Sequence, residues 1–104
     1  MIYLSGSITD NPDYKSDFLK AYELCRKKFG DSVEIFNPCS VTNKNTWLEY
    51  MIADLEHLKQ CDSVVFLQGW KKSSGCMVEK ICAEKMNLKI YYIKGCNIYA
   101  DVRK

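Results

Sequence analysis

Apolar residues along this chain gather in short unbroken runs that alternate with stretches of helical periodicity. Ile2-Tyr3-Leu4 predicts a strand, closed by Ser5-Gly6-Ser7. Asn11-Pro12-Asp13 predicts a helix start, with Asn11 as cap and Pro12 in the first turn. Phe18, Tyr22, Cys25 and Phe29 recur at steps of four, three and four, which sets them on one helical face, and Gly30 is placed to stop that helix. Val33 to Phe36 predicts a second strand, broken by Asn37-Pro38, and polar residues 39 to 45 read as a loop. Thr46 with Glu49 three residues on fits a capping box, followed by Trp47, Leu48, Met51, Ile52, Leu55 and Leu58 as an apolar face. Asp62 to Leu67 is a β-rich run without polar alternation, as a central parallel strand should be. Gly69 to Gly75 reads as a loop. Residues 75 to 87 carry Val78, Ile81, Cys82 and Met86 at helical spacing, and Leu88 to Ile93 is a fourth strand. Asn97 to Val102 offers a short fifth.

Strand–helix alternation implies βαβ crossovers and a parallel sheet with helices on both faces. The expected fold class is therefore α/β: a Rossmann-like (flavodoxin-like) three-layer sandwich with a mainly parallel sheet of four or five strands. A length of 104 residues is too short for two independent cores, so residues 1 to 104 are expected to form one domain. Hydrophobic content of 47% beside 27% charged residues excludes a disordered chain. A net charge of +2 supplies no polycationic field for a nucleic-acid polymer. The longest apolar run, around Ser63 to Leu67, falls far short of the roughly 20 residues of a membrane helix. Met1-Ile2-Tyr3-Leu4 enters a strand without the regions of a signal peptide, and the expected setting is the cytosol. Cys25, Cys39, Cys61, Cys76, Cys82 and Cys96 form no CxxC pair, and His57 is the single histidine. The cysteines are therefore expected to act as small buried hydrophobes, with no metal site.

In an open parallel sheet, ligands bind beyond the carboxyl ends of the strands. Ser5 to Asp10, Asn37 to Asn45 and Gln68 to Gly75 lie there. Gly6 allows close backbone approach, Ser5 and Ser7 offer hydroxyl donors, and Ser73-Ser74-Gly75 opens the third helix, where free amides favour an anion. The same residues also make ordinary turns. Neither loop is a Walker motif or a GxGxxG. Glu79 lies about one turn into the third helix, beside Val78, and borders its buried face. It is placed either to act as a nucleophile or simply to complement the helix dipole. Asp54 stands close to the apolar stripe of the second helix, either facing a cleft or solvated beside Lys59 or Lys44. Asp62 reads as the terminator of the segment entering the third strand, and His57 as a solvent-side residue without a role.

Tyr3-Leu4-Ser5-Gly6-Ser7-Ile8, Asp54-Leu55 with Cys61-Asp62-Ser63-Val64-Val65 beyond it, Ser73-Ser74-Gly75-Cys76-Met77-Val78-Glu79, and Asn87-Leu88-Lys89-Ile90 resemble, in order and spacing, the nucleoside 2-deoxyribosyltransferase superfamily. The likeness covers most of residues 1 to 93. It is nearest the branch that hydrolyses deoxynucleoside 5'-monophosphates and a compact, uncharacterised bacterial and phage branch. The resemblance implies Glu79 as nucleophile, Asp54 as the acid that contacts the sugar and helps the base depart, and Tyr3 beside the nucleophile. It further implies that Gly6, Ser7 and Ile8 hold the substrate, with Ser73 at its 5' end, while Ser74 and Gly75 are substrate-binding candidates from their place at the helix start. At position 73 the transferases carry an aspartate, whereas the hydrolase branch has a serine that contacts the phosphate. An aspartate there would repel a phosphate, whereas a hydroxyl at a helix N-terminus donates to it. Lys71 and Lys72 add positive charge nearby.

These features lead to three expectations for function. The first is cleavage of the N-glycosidic bond of a (deoxy)nucleoside 5'-monophosphate through a covalent glycosyl-enzyme on Glu79, releasing free base, without cofactor or metal, by a homodimer or higher homo-oligomer. In that superfamily a neighbouring subunit completes each site, and here only Lys94 to Lys104 lie beyond the matched strands. The second is base exchange between deoxynucleosides, and the third a module that binds a nucleotide without cleaving it. A flavodoxin-like redox protein is a further, weaker idea.

Overall fold

The computed structural model describes residues 1–9 and 11–102; Asp10, within the first predicted ligand loop, and the terminal Arg103 and Lys104 lie outside the described residues. The chain runs β1 (Ile2–Ser5), α1 (Tyr14–Phe29), β2 (Ile35–Phe36), α2 (Trp47–Leu58), β3 (Ser63–Phe66), α3 (Ser74–Lys85), β4 (Lys89–Lys94) and β5 (Asn97–Ala100). Short 3-10 turns at Pro38–Ser40 and Trp70–Lys72 lead toward α2 and α3. The sheet order is β2-β1-β3-β4-β5, parallel through β4 and antiparallel only at the β4–β5 hairpin. This is a Rossmann-like three-layer fold with the strand order of the flavodoxin type, as the alternation predicts.

Strand periodicity divides the core into two layers. Ile2, Leu4, Val65 and Leu67 face α1, where Phe18, Ala21 and Cys25 pack on them and Tyr22 and Phe29 close the edges. Tyr3, Val64 and Phe66 face the other way, onto Leu58 of α2 and Cys76 and Ala83 of α3. Ser5, two residues beyond Tyr3, is fully buried, so β1 presents two hydroxyls to the α2/α3 side. Because β1 sits between β2 and β3, its carboxyl end opens at the point where successive crossovers diverge to opposite sides.

Several local expectations shift. The first helix starts at Tyr14 rather than at Pro12, because Asn11 organises the turn ahead of it. Its Oδ1 accepts from the Asp13 amide at 3.1 Å, and its Nδ2 donates to Ser7 O and Asp17 Oδ2. Gly30 does end α1, at φ 97°, donating its amide to Arg26 O. The second strand contracts to two residues, paired with Ile2 and Tyr3, because the chain turns at Pro38 directly after Phe36. The Thr46–Glu49 capping box forms as predicted.

The apolar stripes of α2 and α3 are read less well. On α2, Met51 and Leu58 are buried, but Trp47 is 48% exposed, Leu48 60% and Ile52 55%. On α3 the buried residues are Cys76, Glu79 and Ala83, whereas Ile81 and Met86 are exposed. That helix therefore turns a carboxylate, not its largest apolar groups, toward the sheet. Cys25, Cys61 and Cys76 are buried as expected, Cys39 and Cys82 are half-buried, and Cys96 is exposed on the β4–β5 turn. No helix among the described residues is long and apolar enough to cross a membrane.

Gly6 sets how closely the first loop can approach the sheet. A Cβ there would stand 2.8 Å from Leu67 Cδ2 and 3.1 Å from Phe18 Cζ, both buried. Gly6→Ala is expected to lower unfolding free energy by about 1–3 kcal/mol through overpacking, which urea denaturation would measure.

Candidate active site

A cleft of about 540 Å³ opens at the carboxyl end of β1, between the loop after β1, the segment after β2, α2 and the start of α3. Its wall includes Tyr3, Gly6, Ile8, Asp54, Ser73, Gly75 and Glu79. Seven of the nine residues singled out in the sequence are thus brought to one place. The other two stand apart. Ser7 donates from Oγ to Thr9 O at 3.5 Å and does not line the cleft, while Ser74 is exposed at the first position of α3.

Glu79 lies at the centre. Only 4% exposed, it projects from the buried face of α3 toward the two hydroxyls of β1. Ser5 Oγ donates to Oε1 at 2.6 Å, and the Tyr3 hydroxyl donates to Oε2. Both bonds favour the carboxylate, yet burial outweighs them and lifts the Glu79 carboxyl to about 7, with Asp54 adding in the same direction. Tyr3 is pushed upward by its own burial and then by the negative charge of Glu79, so its phenol keeps the proton and remains a donor.

Asp54 approaches from α2. Burial raises its carboxyl to about 6, with His57 drawing it the other way. Its Oδ1 is shut off from solvent and has no hydrogen-bond partner among the described residues. A buried acceptor without a donor is costly, and a ligand donor in the cleft would relieve it. The cleft reading of Asp54 therefore replaces the solvated one.

Ser73 caps α3, its Oγ accepting from the Cys76 amide at 3.3 Å. The remaining first-turn amides face the end of the helix where negative charge is favoured. Lys71 and Lys72 are exposed on the preceding turn and do not line the cleft. Its described wall holds two carboxylates and no lysine or arginine.

The rest of the wall draws on two of the expected ligand segments, Ser5 to Asp10 and Asn37 to Asn45, and on α1 and the start of α2. Tyr14, Trp47 and Tyr50 supply aromatic surface, and Thr9, Thr42, Asn45 and Thr46 supply polar groups. Trp47, expected on the apolar face of α2, stands on the cleft wall instead. His57 is not on the solvent side: its ring stacks on Phe36 at 4.0 Å, and Nδ1 lies 2.9 Å from Ala53 O. Asp62 pairs with the amino group of Met1 at 3.4 Å. No group of three or more His, Cys, Asp or Glu among the described residues is arranged to hold a metal ion. Residues 1–92 match the family described as Domain of unknown function (DUF4406), and the chain belongs to that family. A comparison with curated proteins gives no match.

The raised carboxyls tie stability to pH. Folded Glu79 holds its proton up to about pH 7, whereas the unfolded chain releases it near 4.5. The folded state therefore binds more protons between those values, and stability falls as pH rises through that window. Glu79→Gln keeps the shape without the charge and is expected to gain on the order of 2–3 kcal/mol at pH 8 but little at pH 4. Urea denaturation of both proteins at the two pH values measures this difference.

Proposed function

We propose that this chain, a member of that family, cleaves the N-glycosidic bond of a deoxynucleoside 5'-monophosphate through a covalent glycosyl-enzyme on Glu79. One observation carries the reading. A buried carboxylate on the cleft has each oxygen fixed by a hydroxyl, while a second carboxyl on the same cleft keeps a buried oxygen without a partner among the described residues. Binding alone does not call for such a pair, whereas glycosidic chemistry uses two acids with separate roles.

In the first step an ionised Glu79 oxygen bonds to C1'. The C1'–N bond breaks with its electron pair leaving on the base, and the protonated form of Asp54 gives that base a proton. In the second step water adds at C1', the ester to Glu79 breaks, and the Asp54 carboxylate takes the proton from water. Two inversions give net retention. A carboxylate fixed beneath C1' stabilises the oxocarbenium-like transition state, and the Tyr3 and Ser5 hydroxyls hold it in place beforehand. The Glu79 carboxyl, raised to about 7, lies above that of Asp54, raised to about 6, so the reactive form, with the proton on Asp54 and Glu79 ionised, is the less populated of the two singly protonated forms. Ser73 and the first-turn amides of α3 bind the phosphate as neutral donors.

A second reading has an observation in its favour. A cleft wall with two carboxylates and no described cation suits an uncharged nucleoside, and with it base exchange. Incubation with deoxynucleotides and deoxynucleosides, with and without added free base, separates the two. Free base from a monophosphate alone supports the hydrolase, and a new nucleoside formed only with added base supports exchange. Glu79→Gln is expected to reduce base release to below about one hundredth while nucleotide affinity stays within about threefold. Mass spectrometry of the intact wild-type protein should reveal a sugar adduct. Retention of full activity by the variant would remove Glu79 as nucleophile.

The reading extends to a homodimer. The exposed Trp47, Leu48 and Ile52 of α2 and Met77 and Ile81 of α3 lie on two helices that pack together, and Trp47 also reaches the cleft. A second copy seated on this face would cover apolar surface and narrow the cleft mouth. Sedimentation is expected to give twice 12.1 kDa, and Leu48→Asp with Ile52→Asp to give monomers; a monomeric wild type would rule the homodimer out.

A further inference from the structure

The nucleophile assigned above is held by Tyr3, and Tyr3 is itself held. Its ring lies 5.5 Å from that of Phe36, at an interplanar angle of 29°, because Tyr3 and Phe36 are register partners on β1 and β2. Phe36 in turn stacks on the His57 imidazole at 4.0 Å and 9°. His57 is anchored to its own helix through the contact between Nδ1 and Ala53 O, and its carbonyl accepts from Cys61 Sγ at 3.3 Å. A two-residue edge strand has few other means of fixing a side chain, since β2 pairs with β1 alone.

We propose that Phe36 and His57 are positioning residues: with Tyr3 they form a run of stacked rings, from α2 through β2 to β1, that keeps the phenol hydroxyl on the Glu79 carboxylate. Neither ring touches the reacting atoms. Stacked aromatic pairs contribute beyond their area and prefer defined offsets, so the arrangement restricts tilting of the tyrosine ring. Small displacements at a reacting carboxylate have large effects on rate. The inference rests on the reading of Glu79 as nucleophile.

The groups acting on the Glu79 carboxyl are Ser5 and Tyr3 from β1 and Asp54 from α2, with Cys76 beside it on α3. His57 also draws on Asp54 electrostatically, so ring and charge must be separated. His57→Phe keeps a ring against Phe36 and deletes the imidazole, whereas His57→Ala deletes both. Two measurements apply to each: kcat and KM for base release, and the titration of the Glu79 side-chain carbon by NMR, which needs no turnover.

His57→Ala is expected to lower kcat on the order of tenfold with KM within about twofold, and to shift the Glu79 titration upward relative to His57→Phe as the Tyr3 bond loosens. His57→Phe should restore kcat. Phe36→Leu, which removes the ring between the other two, should reproduce the alanine result and replaces it where the alanine variant does not fold. The proposal fails if His57→Phe is as impaired as His57→Ala, or if Glu79 titrates alike in wild type and both variants. A wild type that releases no base would sink the glycosidase reading, while the titration would still decide the stack.

Discussion

Keeping a carboxylate ionised away from water is costly, and in this fold two hydroxyls on one strand offset part of that cost. Tyr3 and Ser5 occupy alternate positions of β1, so both point to the α2/α3 side, and both donate to Glu79. Donor bonds to a charged acceptor are worth more than neutral ones, but here they do not fully offset desolvation. The result is a carboxyl balanced near neutrality instead of one locked in either form. A different register of β1 would send the hydroxyls to the α1 layer and leave Glu79 without donors.

The remainder of the fold can be understood as what fixes that strand. β1 lies between β2 and β3, with Ile2 and Leu4 anchored on the α1 layer. Gly6 lets the chain leave the sheet directly over Leu67 and Phe18, so the first loop can border the cleft without displacing the core. On the other side α3 begins at a serine cap and brings Glu79 in over its second turn, while Gly75 leaves room for Met51 of α2. Three elements distant in sequence meet at one carboxylate.

How much of this was legible depends on whether the signal was local. The buried strand Ser63–Phe66, the α1 face from Phe18 to Phe29, the Gly30 stop and the Thr46–Glu49 box are set by neighbours within a few residues, and periodicity finds them. Glu79 and Asp54 could be placed on helices near buried stripes, but their mutual approach depends on crossovers that no spacing encodes. On α3, apolar size is a poor sign of burial. Ile81 and Met86 are exposed, and the buried positions are held by Cys76, Glu79 and Ala83, small or charged groups that fit a close helix–sheet approach. His57 was misplaced for a related reason: its polar neighbours suggested solvent, whereas Phe36, from a distant strand, offers its ring a flat apolar surface.

Water access links the chemistry to the surface. Burial already dominates the proton affinity of Glu79, and the cleft wall is closed on the α2 side by Trp47, Tyr50 and Met51. Trp47 is nearly half exposed, so the same side chain lines the wall and, with Leu48 and Ile52, adds to the exposed apolar surface of α2. Anything that covers that face removes further water from the cleft and strengthens every electrostatic term inside it, including the repulsion between the Asp54 and Glu79 carboxylates. A covered site would hold a proton between the two acids more firmly, and one acid charged with the other neutral is the state a two-acid glycosidic mechanism starts from. Under the proposed reading, the exposed apolar surface and the buried carboxylate would answer to one requirement, exclusion of solvent from the space above β1.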